Sequence, residues 1–404
     1  MSQKPVLPYG RHAVDDEDVA AVVEVLRSAW LTTGSTTADF EAALAAKVGA
    51  KDAVSCSNGT AGLHLACLAL GIGLGDAVIV PSVTFVATAN AARLVGAEVV
   101  FADVDPTTAL MGVAEFQNAL DRARKAGLKV KAAIPVHLGG QCDDLEGIGA
   151  LAKRHGIKII EDACHALGTV QHRSDGAHRP IGACADSDLV VFSFHPVKTI
   201  TSGEGGAVTT QDPSLARKLR QLRGHGLERD FELFENRDDA FDDGSANPWY
   251  YEMPEIGLNY RLSDINCALG LSQLKKLDRF VDSRRRLVAR YDERLSELAP
   301  SIRPVKRLTP DNTSWHLMTS LIDFAILGRS RREVMADLKA RGVGTQVHYI
   351  PVHHQPYYKA RYGETFLPGA DAYYRQALSL PLYYGITEVD VDGVAQALAE
   401  VLRA

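Results

Sequence analysis

Short apolar runs separated by helix-type patterns set the limits on what this chain can become. The runs are AVSC (53–56), AVIVP (77–81), EVVFADVD (98–105), KAAIPVH (131–137), IKIIEDA (157–163) and LVVF (189–192). Their near-continuous Val, Ile and Ala content suits strands buried on both faces. Helical patterns such as 113–125 and 145–155 lie between them. This rhythm predicts an α/β fold with a large, mostly parallel sheet covered by helices on both sides. Active residues are then expected at the carboxyl ends of the strands.

At 404 residues the chain can bury one large core and a smaller one. Asp15 or Asp16 can cap a first helix carrying Val19, Val22, Val23 and Leu26 on one face. After about Gly224 the character changes. Residues 228–255 are acidic, aromatic and aperiodic, as in a solvated flap. A long helical stretch is predicted over 263–298, strands over 317–324 and 344–350, and a closing helix from about Thr387. The expected division is a large domain, 1–265, that includes the N-terminal segment and the flap, and a small α+β C-terminal domain, 266–404.

The net charge of −6 argues against a nucleic-acid partner. No apolar run is long enough for a bilayer, and the N-terminus lacks the apolar core of a signal peptide. The six cysteines are scattered without a CxxC pair, which predicts buried free thiols in a reducing cytoplasm and no disulfide or zinc framework. No metal ligand set is read from the sequence.

Chemistry concentrates in three places. Lys198 follows the LVVF run in a loop containing Pro and Gly, so its amine stands just past a buried strand. Apolar surroundings ease loss of its proton, and the neutral amine can condense with an aldehyde. Ser57-Asn58-Gly59-Thr60-Ala61-Gly62 opens a helix, whose free N–H groups and dipole favour a phosphate. Asp162 ends the IKII run, where a carboxylate can pair with a protonated pyridine nitrogen. An amine, a carboxylate and an anion cradle, each beside an element end, point to pyridoxal 5′-phosphate (PLP). Phe85 can stack on a flat ring, His165 can reach a ring hydroxyl, and Asn259 and Arg261 sit before a helix where they can serve an anion.

These motifs run in order with PYGRH near Pro8, LTTG (31–34), SNGTAGLHLA (57–66), PSVTFVATANA (81–91), EDACHALG (161–168), SFHPVKTITSGEGGA (193–207) and GLNYR (257–261). Together they resemble the sugar aminotransferases of the DegT/DnrJ/EryC1/StrS family. The resemblance implies the fold-type I architecture of PLP enzymes. It implies that Lys198 binds the cofactor covalently, that Asp162 faces its ring nitrogen, and that His165, where the family often has glutamine, meets its ring hydroxyl. It further implies that Phe85 stacks on the ring, that Thr60, Ala61 and Ser193 hold the phosphate, and that Asn259 reaches the phosphate of a neighbouring subunit in a homodimer.

Within the family, SFHPVK, NPWYYEMPEIGLNYRLSDINCALG and VHYIPVHHQPYY are similar to the pseudaminic acid branch, from which Pro254 departs where glutamine is expected. That likeness implies transfer of an amino group from glutamate to C4 of a UDP-linked 4-keto-6-deoxy-N-acetyl hexose. His316, His348 and Tyr349 are candidates for the sugar nucleotide. Other nucleotide-linked ketosugars, of perosamine, bacillosamine or legionaminic type, are the alternative acceptors. A PLP-dependent sugar dehydratase is a weaker reading, because such enzymes replace the lysine with histidine. A non-catalytic binding protein would not need both Lys198 and Asp162. A nicotinamide enzyme would need GxGxxG after its first strand, which SNGTAG does not supply.

Overall fold

The computed structural model describes residues 6–403. Its first body is built on helices α1 (Asp16–Arg27), α2 (Ser35–Val48), α3 (Gly59–Ala69), α4 (Val86–Leu94), α5 (Val113–Lys125), α6 (Leu145–Arg154) and α7 (Pro213–Arg223). The interleaved strands are β1 (Asp52–Cys56), β2 (Asp76–Pro81), β3 (Glu98–Ala102), β4 (Lys129–Ala133), β5 (Lys158–Asp162), β8 (Leu189–Ser193) and β9 (Gly206–Thr210). Between β5 and β8 the chain makes a small hairpin, β6 (Val170–His172) and β7 (His178–Pro180).

The seven strands form one sheet in the order β1-β9-β8-β5-β4-β2-β3. All neighbouring pairs are parallel except those made by β9, which runs against both β8 and β1. The β8–β9 connection is therefore a hairpin, and its loop carries Lys198. That loop is closed on itself: Phe194 N–H donates to Gly205 O (2.8 Å) and Ser202 N–H to Phe194 O (3.0 Å). The expected α/β sheet is thus present, as in fold-type I PLP enzymes. β4 starts two residues before the KAAIPVH run and ends before Pro135, which has no N–H to give a ladder.

Helix α1 is capped by Asp15, in a reciprocal box with Asp18. Its inward face differs from the expected one. Asp18 and Val25 are buried, while Val19 and Leu26 are exposed. The reason is polar: Asp18 accepts from Ser272 Oγ and Gln273 Nε2, both at 2.6 Å, and pairs with Lys276 Nζ at 2.9 Å. The flap region holds one turn of helix, α8 (Arg237–Ala240), and a minimal hairpin, β10 (Phe241–Asp242) with β11 (Ser245–Ala246).

The predicted helix over 263–298 is two helices, α9 (Asp264–Leu274) and α10 (Leu277–Ser296), broken where Lys276 turns to Asp18. The remaining chain forms β12 (Ile302–Pro304), β13 (Met318–Ile322), α11 (Arg331–Ala340), α12 (Pro356–Tyr362), α13 (Pro368–Gln376), β14 (Ala377–Leu380) and α14 (Glu388–Arg403), with the three strands in one antiparallel sheet. Residues 344–350 are not the expected strand. Only Gln346 bridges to Ser379 there, and Gln346–Ile350 instead line a cavity.

Apolar packing locates the two cores. Leu274, Leu277, Phe280 and Val281 join Phe40, Phe192 and Phe194 against the large sheet. Leu287, Val288, Tyr291 and Leu295 join Trp315, Met318 and α14. On this packing we propose a division inside α10, between Val281 and Leu287, in place of 265/266.

Asp264 ties the two ends of the large body together. It is 0% exposed, and its carboxylate accepts from Gly34 N–H (2.7 Å) and Thr37 N–H (3.0 Å). Gly34 is the N-cap of α2 and has no side chain to offer, so Asp264 supplies that cap from far along the chain. Asp264→Ala should lose about 2–4 kcal/mol of stability in urea unfolding, and Asp264→Asn should recover part of that loss.

Candidate active site

The carboxyl ends of β2, β5 and β8 and the start of α3 enclose a cavity of about 860 Å³. That is at the upper end of the range for small-molecule sites. Glycines let its walls approach. A Cβ on Gly206 would lie 2.5 Å from backbone atoms of Asn58, and one on Gly59 would lie 2.9 Å from Ser193 Cβ. Helix α3 therefore starts directly against the β8–β9 hairpin. Asn58 Oδ1 caps it by accepting from Ala61 N–H (2.8 Å). The N–H groups of Gly59 and Thr60 face the helix entry with no intrahelical acceptor, and Ser193 stands beside them.

Lys198 lines the same cavity. Burial pushes its amine below the ordinary lysine range, against the opposing fields of Cys164 and Asp162. No hydrogen bond or ion pair among the described residues ties it down. Asp162 is 6% exposed and held on both oxygens: Thr88 Oγ1 donates to Oδ2 (2.7 Å), and Cys164 N–H to Oδ1 (3.2 Å). Thr88 comes from α4, whose N-cap is Phe85. Phe85 is 55% exposed although aromatic, and its ring lies 5.9 Å from that of Tyr349 across the opening.

His165 is buried, and Gly139 N–H donates to its Nδ1 (3.2 Å). The ring proton is thereby assigned to Nε2, which lies 3.3 Å from Tyr349 Oη. Burial, reinforced by the field of Lys198, holds His165 well below the ordinary histidine range. The same causes lower His316, and burial brings His348 down to about 3. His165 presents a neutral N–H donor rather than a cation.

Among the residues expected from sequence, Thr60, Ala61, Phe85, Asp162, His165, Ser193, Lys198, His348 and Tyr349 all line this one cavity. Ala61 N–H is spent on the Asn58 cap. His316 is buried behind His165, with ring centres 4.2 Å apart, and does not line the cavity. Asn259 is exposed and also outside the lining; its neighbour Tyr260 is inside. Arg261 is exposed as well. Sequence reasoning gave no role to Thr88 or Tyr9, although both stand inside the motifs PSVTFVATANA and PYGRH; Gly206 belongs to the glycine run after Lys198 that lets the backbone turn and approach a ligand.

The donor set fits a phosphorylated pyridine aldehyde. It offers an anion cradle, a desolvated free amine, a fixed carboxylate and an exposed aromatic within one cavity. Residues 12–399 match the model of the DegT/DnrJ/EryC1/StrS aminotransferase family. The chain belongs to that family. It is 37% identical over 401 residues to the spore coat polysaccharide biosynthesis protein SpsC of Bacillus subtilis (strain 168), covering 98% of this chain and 97% of that one. Among solved structures it resembles Helicobacter pylori PseC, an aminotransferase involved in the biosynthesis of pseudoaminic acid. The TM-score is 0.87 at 28% identity, over 98% of this chain and 99% of that one. It also resembles the PLP form of the putative sugar aminotransferase Spr1654 from Streptococcus pneumoniae, with TM-score 0.83 at 26% identity over 98% and 99%. The chain is thus a PLP-dependent sugar aminotransferase of this family. Among the described residues no helix is long and apolar enough to cross a membrane.

The three lowered imidazoles make stability depend on pH. Unfolded, each takes a proton below about 6.5; folded, each resists it, so acid favours the unfolded chain. Stability should be full above pH 6.5 and fall by about 1.4 kcal/mol per imidazole for each unit below it. His316→Leu should flatten that slope in thermal melts taken across the acid range.

Proposed function

We propose that the protein transfers the amino group of glutamate to C4 of a UDP-linked 4-keto-6-deoxy-N-acetyl hexose of L-altro type. The observation that carries the reaction is the free, desolvated Lys198 amine in one cavity with Asp162 and the start of α3. The likeness to PseC over nearly the whole of both chains supports the acceptor class.

Bound PLP supplies an aldehyde that carries the amino group and a ring that accepts electrons from the substrate carbon. Lys198 would hold that aldehyde through its amine, and the same amine would be the base that moves a proton at the substrate's reacting carbon. Its lowered proton affinity leaves more of the amine neutral for both tasks. Asp162, fixed by Thr88 and Cys164 N–H, would keep a proton on the ring nitrogen by charge. Neutral His165 would offer its Nε2 proton to the ring oxygen. Phe85 would cover the ring face, while Gly59, Thr60 and Ser193 would hold the phosphate. His348 and Tyr349, which line the same cavity, are the groups offered to the acceptor sugar nucleotide in this reading. His316 backs His165 rather than touching substrate.

Acceptor identity is tested by offering UDP-, dTDP- and GDP-linked 4-ketosugars with glutamate and following 2-oxoglutarate and the product mass. Turnover is expected with the UDP-linked N-acetyl sugar, with the amine at C4. Lys198→Ala should lower it by about 10²–10⁴-fold or more. Turnover with only dTDP- or GDP-linked sugars moves the protein to another acceptor.

The working unit proposed is a cytoplasmic homodimer with shared sites. Exposed apolar side chains support a partner surface: Trp30 and Leu31 before α2, and Trp249, Tyr251, Met253 and Ile256 ahead of Asn259. In a two-fold dimer, Asn259 of each chain would serve the phosphate bound by the other. Lys198→Ala should be inactive, and Asn259→Asp impaired by repulsion of the phosphate. Re-equilibrated mixtures of the two should exceed both parents, because one of the two sites in a mixed dimer carries neither change. Activity at the mixing average, with exchange verified by mass, would show that Asn259 acts within its own chain.

A further inference from the structure

Outside the cavity, three ligating groups meet, and two of the facing atoms are buried without a hydrogen bond. His353 and His354 lie in the single helical turn 352–354, and Asp371 in the first turn of α13. Their nearest ligand atoms all fall within 4.8 Å of one another. His354 Nε2 is 2.9 Å and His353 Nε2 3.8 Å from Asp371 Oδ1. His353 is 3% exposed, yet its Nε2 has no hydrogen-bond partner among the described residues, and neither has Asp371 Oδ1. A buried ring nitrogen with no hydrogen bond, 3.8 Å from a carboxylate oxygen whose one close contact is His354, costs free energy unless something stands between them.

The geometry points to a divalent metal site of zinc type, formed by His353 Nε2, His354 Nε2 and Asp371 Oδ1. Two imidazoles and a carboxylate are a donor set for zinc and its near neighbours rather than for magnesium or calcium. Bonds of about 2.0–2.1 Å in a tetrahedron put ligand atoms about 3.3–3.5 Å apart. The two distances to Asp371 bracket that separation. His353 has the outer partner such a ligand needs: its Nδ1 lies 2.5 Å from Ser82 Oγ, which accepts the ring proton when Nε2 binds metal. His354 and Asp371 are half-buried, which leaves an entry path and a fourth position for water. The nearby Asp103 carboxylate is already engaged by Gly369 and Ala370 N–H and is not a ligand.

None of the three ligands lines the Lys198 cavity, but the segments they join do. Gln346–Ile350 precede the turn and Gln355 follows it, and all of these line the cavity; Ser82 begins the loop that carries Phe85. Bound metal would pin this wall to α13.

The test uses the PLP-loaded protein after chelator dialysis. It is titrated with zinc chloride by calorimetry and with cobalt(II) chloride by difference absorption. The expected result is one zinc per chain, visible d–d bands with cobalt, and a melting temperature raised by zinc. His354→Gln and Asp371→Asn should each weaken zinc binding by more than the ~10–100-fold typical of losing an outer-shell partner. Both should cancel the melting shift and leave turnover in chelator unchanged. Lys198→Ala should bind zinc as the parent does, which separates this site from metal held by the cofactor. Absence of saturable zinc binding and of cobalt bands in the parent overturns the assignment. So does zinc binding that survives His354→Gln and Asp371→Asn but disappears in Lys198→Ala.

Discussion

Helix α3 lies close on the sheet because glycines at the contact carry no side chain of their own. Gly206 has no room for a Cβ against the Asn58 backbone, Gly62 none against Val191, and Gly59 none against Ser193. This contact decides where the helix begins relative to the strand ends. It sets the N–H groups of Gly59 and Thr60 beside Ser193, in the cavity that Lys198 and Asp162 share. Added methyl groups at these positions would push the start of α3 away from the Lys198 amine.

Around that contact, the polar groups are sorted by what holds them. Asp162 is fixed through Thr88 and a backbone N–H, so it stays aimed. Lys198 has no partner among the described residues and is desolvated, so it is free to react and to exchange protons. His165 has one ring nitrogen committed to Gly139, which leaves the other as a neutral donor. The same burial gives the site its cost. Three imidazoles that resist protonation tie the stability of the molecule to the pH range in which histidine ordinarily titrates.

The small body contributes by position more than by chemistry. Its Gln346–Ile350 segment closes one side of the cavity, and Ser379 anchors His348 through Nδ1 at 2.8 Å. The N-terminal segment reaches the same place, since Tyr9 lines the cavity and its carbonyl accepts from Leu382 N–H (3.0 Å). Segments from both ends of the chain thus meet at a site whose reactive groups come from the middle.

Much of this was legible in the residues themselves. Buried strands are nearly uniform in Val, Ile and Ala, so β2, β5 and β8 stand out, and with them the strand ends where Asp162 and Lys198 sit. Turn glycines and the SNGT cap marked the start of α3 for a local reason, because capping depends on residues three or four apart. Other features depend on groups far apart in the chain. The reversed direction of β9, the face that α1 turns inward, and the break at Lys276 follow from the loop closure at Phe194–Gly205 and from Asp18 meeting Lys276. No periodicity encodes those contacts. The 344–350 segment reads like a strand, yet its consecutive residues 346–350 line a cavity, and one-dimensional pattern cannot separate the two. Sequence alone thus determined most of the sheet's elements, the α/β class and the candidate reactive groups, since each is written in neighbouring residues. Only the tertiary structure decided which helix face is buried, that His316 stands behind His165 rather than in the cavity wall, and that Asp371 meets the His353–His354 pair. Those outcomes depend on packing between segments that the sequence holds far apart.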